Sequence, residues 1–319
     1  MNKNMWMNGV MGLVVGDALG VPVEFKSRLE LTNNPVENMR AYGTFNQPAG
    51  TWSDDSSMVF ATIDSLKDGY NLEDIMEKFV HWIREAEYTP FGKVFDKGIA
   101  SNDAIVRYMN SGEIAGCDGE YDNGNGSLMR ILPICLFVYD QQKKNGMTDE
   151  DAICMIHEVS ALTHAHIRSL IACGLYFFIV RAILDGGNNL AECLQKGLDD
   201  GFAFYAEDMV SPKEMQHYDR IRKLNDFANT DVDDIKSTGY VVASLEAALW
   251  CLVNTDNYKD CMLKAVNLGN DTDTVAAIAG GLAGLFYGYD EIPQDWLAVI
   301  QKKEWIENLL MQMTEVTLE

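Results

Sequence analysis

Asn270-Asp271-Thr272-Asp273-Thr274 runs directly into Val275-Ala276-Ala277-Ile278-Ala279-Gly280-Gly281-Leu282-Ala283-Gly284. Two carboxylates and two hydroxyls stand at the mouth of an apolar, small-sided segment that reads as a buried helix. Its glycines would weaken an isolated helix. Small side chains also let neighbouring backbones approach closely, which places this helix at the centre of a bundle. A second acidic mouth, Trp52-Ser53-Asp54-Asp55-Ser56, opens a helix more than two hundred residues earlier. Our reading is that the fold brings both mouths together around a pair of hard cations.

Almost every other periodic segment repeats at three to four residues, and no two-residue alternation of strand length stands out. The expectation is an all-α fold. Met5–Leu19 reads as the first helix, ended by Gly20 and Pro22, and Ser53 as the N-cap of Asp54–Lys67. Asn71 opens the next, with Met76, Phe79, Trp82 and Ile83 inward. Lys93–Met109 follows, then a Gly/Asp/Asn-rich loop over 113–126. Ser127–Tyr139 is interrupted or kinked at Pro133, and Thr148 resembles a capping box for Ala152–Ala161. His164–Leu184 is the most apolar segment. Leu190–Leu198, a polar Pro212–Phe227, Tyr240–Leu252 and Asp256–Leu268 lead into the opening motif. Short helices around Asp295–Ile300 and Glu304–Met313 close the chain.

No linker, composition shift or repeat divides the 319 residues, so one compact domain over 1–319 is the simplest organisation. A hydrophobic fraction of 47% is ample for a large core. The net charge of −23 argues against nucleic-acid binding and against polybasic membrane attachment. Seven cysteines without a CxxC spacing fit buried thiols in a reducing cytoplasm. The apolar run Leu170–Val180 is too short to span a bilayer. Lys3 followed by Met5–Val15 imitates a signal peptide, but no cleavage site follows and Asp17 and Glu24 come instead.

Taken singly, each motif has an ordinary reading. Ser53-Asp54-Asp55 is what capping and the helix dipole favour in any helix. Asp271 and Asp273 are two apart and do not share a helical face, so their joint use requires Asp271 in the preceding turn, where Gly269-Asn270 gives freedom. Glu24 alone fits a surface residue. Asn123-Gly124-Asn125-Gly126 is either a plain turn or a phosphate cradle. His164 and His166 fit a base, a cap or a satisfied core histidine. Four aspartates at the ends of core helices are costly unless neutralised, and oxygen ligands suit Mg²⁺, Mn²⁺ or Ca²⁺ rather than zinc. No nucleophilic triad pattern is present.

The ordered set of motifs resembles the ADP-ribosylglycohydrolase family. It runs through Gly16-Asp17-Ala18-Leu19-Gly20 with Val23-Glu24-Phe25, Gly50-Thr51-Trp52-Ser53-Asp54-Asp55 and Phe95-Asp96-Lys97-Gly98. It continues through Gly124-Asn125-Gly126-Ser127-Leu128-Met129-Arg130, Leu162-Thr163-His164, Thr238–Val242 with Leu245–Trp250, and Asn270–Thr274. The resemblance implies a compact orthogonal helical bundle around a central binuclear site for two Mg²⁺ or Mn²⁺ ions. It implies ligation by Ser53, Asp54, Asp55, Asp271, Asp273 and Thr274, with Asp54, Asp55, Asp271 and Glu24 in catalysis. Asp96, Gly124, Asn125, Gly126, Ser127 and His164 match segments near the substrate. The implied reaction is hydrolysis between C1″ of ADP-ribose and an acceptor, with an ADP-ribosylated protein (arginine ahead of serine) or an ADP-ribose-containing small molecule as substrate. A catalytically silent ADP-ribose binder is the alternative. Ser53 stands where the family has threonine, Asn270 where glycine is common, and Lys97 where isoleucine is frequent.

Overall fold

The computed structural model describes residues 4–207 and 211–317. Over these the chain forms sixteen α-helices: α1 (Met5–Gly20), α2 (Arg28–Asn33), α3 (Asp54–Leu66), α4 (Leu72–Glu85), α5 (Ile99–Ser111), α6 (Leu132–Asn145), α7 (Asp149–Ala161), α8 (Ile167–Leu184), α9 (Leu190–Glu207), α10 (Pro212–Met215), α11 (Leu224–Phe227), α12 (Val241–Val253), α13 (Tyr258–Val266), α14 (Thr272–Tyr287), α15 (Gln294–Leu297) and α16 (Lys303–Val316). No β-strand occurs among the described residues. The extended pairing consists of isolated bridges, Cys117 with His164 and Gly124 with Tyr240. Lys3 of the N-terminal reading lies outside the described residues.

The centre of the bundle is a backbone-to-backbone contact between α1 and α14. A Cβ added at Gly12 would lie 2.3 Å from the Gly280 carbonyl oxygen, and one at Gly280 would lie 2.3 Å from that of Gly12. Each position accepts only hydrogen. Asn8 meets Gly284, Gly16 meets Ala276 and Gly20 meets Asp273 in the same way, so the two helices run antiparallel. That pairing delivers the C-terminal end of α1 to the N-terminal end of α14, and the Thr272 hydroxyl donates to the Gly20 carbonyl at 2.9 Å. The glycine stripe Gly12, Gly16, Gly20 on α1 is the half of this contact that the sequence reading did not use.

Local chemistry sets most boundaries as expected. Ser53, Asn71, Thr148 and Asn257 each accept a backbone N–H of the first turn they open. Pro133 sits in the first turn of α6, behind a 3₁₀ turn over Leu128–Arg130, and starts a helix rather than kinking one. The structure departs from the sequence reading in five places. α5 begins at Ile99, not Lys93, because Gly98 adopts the extended N-cap conformation; the six residues before it run without helix. α8 begins at Ile167, not His164, since the Ala165 N–H pairs with Cys117 and His166 takes the cap. α9 continues to Glu207, and the Pro212–Phe227 segment divides into α10, a 3₁₀ turn and α11. α2 was not anticipated, although Ser27 and Glu30 make its reciprocal capping box.

α1 with its extension and α8 are long and apolar enough to cross a bilayer, and most of each is buried inside the fold.

Candidate functional site

Three chain segments converge where α1 ends and α3 and α14 begin. The antiparallel α1–α14 contact ends at Gly20 and Asp273, so the chain leaving α1 passes directly over the mouth of α14. Phe25 N–H donates to the Asn270 carbonyl at 2.7 Å, and Asn270 N–H donates to that of Lys26 at 2.7 Å. This two-way clasp holds Glu24 above Asp271 and Asp273. Gly269 (φ +79°) and Asn270 (φ +61°) both adopt the left-handed region, a turn asparagine tolerates better than most residues. The turn puts Asp271 at the N-cap of α14 with Asp273 in its first turn. Both carboxylates therefore serve one cleft.

The second mouth is aimed by a buried acid. Asp17, fully buried within α1, accepts the Ser53 N–H at 3.0 Å, the Ser56 N–H at 3.1 Å and the Ser56 hydroxyl at 2.5 Å. Its carboxylate caps α3 from outside the helix and fixes the Ser53–Ser56 turn. Burial raises the Asp17 pKa to about 6, against the opposing pull of the Ser56 and Ser53 hydrogen bonds. The two mouths touch through the Thr274 hydroxyl, 3.5 Å from Asp55 Oδ1.

Asp54, Asp55, Asp271, Asp273, Thr274 and Glu24 line a cleft of about 230 Å³ together with Asp96. One atom each of Glu24, Asp271 and Asp273 lies within 4.8 Å of the other two. Burial, then Asp96, Asp271 and Asp54, pushes the Glu24 pKa up to about 10. Burial also holds Asp54, Asp55 and Asp273 well above the usual carboxylate range, and neighbouring carboxylates add to the effect. Asp96 and Asp271 are raised by burial as well. What these acids face is one another. Glu24 Oε2 and Asp55 Oδ2 are buried without a hydrogen-bond partner, an arrangement that costs stability unless a cation fills it. An all-oxygen set with unpartnered carboxylate oxygens fits hard divalent ions.

Ser53 stands apart from the cleft lining. Its hydroxyl takes the Asp55 N–H at 3.3 Å, and the residue borders a smaller void beside Asp54 and Asp96. Asp96 lines the cleft from a segment that is not helical; Gly98 N–H donates to Asp54 Oδ2 at 3.3 Å. A helical start at Lys93 would have carried Asp96 elsewhere.

The opposite wall carries Gly124, Asn125, Gly126 and His164. Asn125 N–H donates to Gly239 and Val241 N–H donates to Asn123, pinning the glycine loop against the start of α12. The Asn125 side-chain amide donates to Asp271 Oδ2 and to Ser244 Oγ, each at 2.8 Å. Asn125 therefore orients Asp271. Ser127 faces the interior, accepting from Ser160 at 2.8 Å. Burial and Arg130 push His164 down to about 3, so its imidazole is neutral. Arg130 donates to Thr163 Oγ1, which lies 2.9 Å from His164 Nδ1. That leaves Nε2 toward Gly124, where an added Cβ would sit 3.4 Å from it.

Sequence reasoning missed the capping role of Asp17, the link from Asn125 to Asp271, and the start of α5. Gly98, Ala100 and Ser101 line the cleft, α5 has no side-chain cap, and the buried Ser101 hydroxyl has no partner. A charged residue amid Val14, Val15, Ala18 and Leu19 was the available signal for Asp17.

Residues 6–318 match the family model for ADP-ribosylglycohydrolase. The chain belongs to the ADP-ribosylglycohydrolase family. It is thus a hydrolase of the glycosidic-bond type, and the expected all-α architecture holds. Among relatives of this family, the chain is 32% identical to an ADP-ribosylarginine hydrolase, Tri1, of Serratia proteamaculans over 95% of its own length and 77% of the relative's. It is 29% identical to the ADP-ribosyl-[dinitrogen reductase] glycohydrolase of Rhodospirillum rubrum, over 93% and 90% of the two chains. A solved structure described as an ADP-ribosylglycohydrolase-related protein complex superposes with a TM-score of 0.77 at 28% identity, over 99% and 98% of the two chains.

Proposed function

We propose that this ADP-ribosylglycohydrolase releases ADP-ribose from an ADP-ribosylated protein side chain, arginine ahead of serine, with two Mg²⁺ or Mn²⁺ ions in the acidic cleft. The observation that carries the reading is the buried group of carboxylates facing one another, with Glu24 Oε2 and Asp55 Oδ2 unpartnered. Asp54, Asp55, Asp271, Asp273 and Thr274 would hold the ions, with Ser53 behind them. Bound ions would supply positive charge and lower the pKa of a water. The arginine hydrolase among the relatives supports the choice of acceptor.

The chain's own groups supply the rest. The uncapped start of α5 offers backbone N–H groups at the cleft, beside the glycine loop Gly124–Gly126, which suits a diphosphate on a strongly acidic protein. Asn125 keeps Asp271 aimed. His164 is neutral and serves as a hydrogen-bonding wall. Glu24 lines the cleft with an unpartnered oxygen, which supports a part for it in catalysis. All seven cysteines are free thiols, which supports a cytoplasmic setting.

Incubation with ADP-ribosyl-arginine and ADP-ribosyl-serine peptides in Mg²⁺ or Mn²⁺ tests the reading. No free ADP-ribose from either, with metal confirmed bound, would refute it. Tight ADP-ribose binding beside zero turnover would instead identify a binding protein. Asp54→Ala and Asp271→Ala are each expected to lose metal by elemental analysis.

A further inference from the structure

Three aromatic rings form a contiguous row, and two of the residues that carry them border cleft carboxylates in sequence, Phe95 also sharing a small void with Asp54 and Asp96. Phe25 follows Glu24 and Phe95 precedes Asp96. Phe45 lies between them, with ring centroids 6.1 Å from Phe25 and 5.2 Å from Phe95. Phe25 is 68% exposed and its backbone is left-handed at φ +65°. Both features are unfavourable for phenylalanine, the first by lost burial and the second by sterics. Ile99, which lines the cleft, is 82% exposed. An apolar row of this kind at the mouth of a polar site marks a surface that something covers.

The row is built on fixed backbone. The Thr44 hydroxyl donates to the Glu24 carbonyl at 2.6 Å and Thr44 N–H donates to that of Pro22 at 3.0 Å. Gly43 is pressed so closely on Pro22 that no side chain fits there. Phe25 is held by the clasp to Asn270. The nearby lysines turn to their own neighbours, Lys26 toward Glu30 and Lys97 toward Asn102.

Resting on the hydrolase reading above, we infer that Phe25, Phe45 and Phe95 form the acceptor platform, which takes the guanidinium-bearing arginine of an ADP-ribosylated protein. The rings are inclined by 61° and 54° to their neighbours, and aromatic rings near carboxylates match a planar, weakly hydrated cation with apolar stem carbons. A net charge of −23 favours a basic polypeptide around that arginine. A serine acceptor has neither the cation nor the flat group, so the platform contributes specificity rather than chemistry.

The test compares Phe25→Ala and Phe45→Ala with the wild type on ADP-ribosyl-arginine and ADP-ribosyl-serine peptides, with free ADP-ribose affinity measured by calorimetry. KM for the arginine peptide should rise about five- to tenfold, with kcat changed less than about twofold. Serine-peptide kinetics and ADP-ribose affinity should stay within about twofold of wild type, and Phe45→Trp should restore the arginine preference. Equal losses on both peptides, an unchanged arginine KM, or weakened ADP-ribose binding would each overturn the platform while leaving the hydrolase reading intact. A wild type that cleaves neither peptide would overturn both. Phe25 projects into solvent, so Phe25→Ala decides the matter even where Phe45→Ala lowers the melting temperature.

Discussion

Replacing Asp273 by Asn keeps the shape of the side chain and its acceptance of the Thr274 N–H, at 3.0 Å from Oδ1, while removing one charge. Carboxylate oxygens of Glu24, Asp271 and Asp273 lie within 4.8 Å of one another. At an effective dielectric of about 20, each fully ionised pair at that range repels by about 3.5 kcal/mol. The protein relieves part of this by holding protons, as the raised Glu24 pKa of about 10 shows. The gain from removing one charge is therefore set at about 1–3 kcal/mol. With an unfolding entropy of about 2.1 cal/mol/K per residue, a chain of 319 residues converts that gain to about 1.5–4.5 °C. Saturating the wild type with Mg²⁺ or Mn²⁺ at about 100 times Kd adds about 2.7 kcal/mol, or about 4 °C. Melting curves in EDTA should place Asp273→Asn above the wild type, and curves in metal should remove or reverse that order. A variant that melts below the wild type in EDTA and still gains fully from metal would refute the cation site.

The same carboxylates predict the pH dependence of the metal-free protein. Glu24 is raised from 4.5 to about 10, so the native state holds more protons than the unfolded chain across that window. Metal-free stability should fall as pH rises through it, more steeply in wild type than in Asp273→Asn, and metal should flatten the slope. Asp17→Asn removes the charge that caps α3 from outside; metal affinity measured by titration should weaken about 10- to 100-fold with the fold intact. Gly12→Ala drives a methyl group against the Gly280 carbonyl and should cost about 3 kcal/mol or more by urea unfolding. Because His164 is held near 3, the pH profile of kcat/KM should lack a limb that His164→Asn abolishes.

Much of the architecture was legible because it is local. Caps at Ser53, Asn71 and Thr148 act on backbone N–H groups within their own first turn, so the helix starts were readable from a few residues. The acidic mouths were legible for a related reason, since two carboxylates opening an apolar helix need neutralisation wherever that helix packs. Boundaries failed where a tertiary bond outcompeted helix propensity. Gly98 is tied to Asp54, which keeps Asp96 outside α5, and Cys117 pairs with the residues before α8.

By itself, then, the sequence determined an all-α chain with two acid-headed helices and a small-sided core helix. Those properties follow from periodicity, capping and side-chain size, which are intrinsic to each segment. Only the tertiary structure decided that α1 is the antiparallel partner of α14, that Asp17 aims the second mouth, and that Asn125 orients Asp271. Each depends on glycine-to-carbonyl and carboxylate-to-amide contacts between residues distant in the chain, and no spacing within one segment encodes which distant partner it will meet.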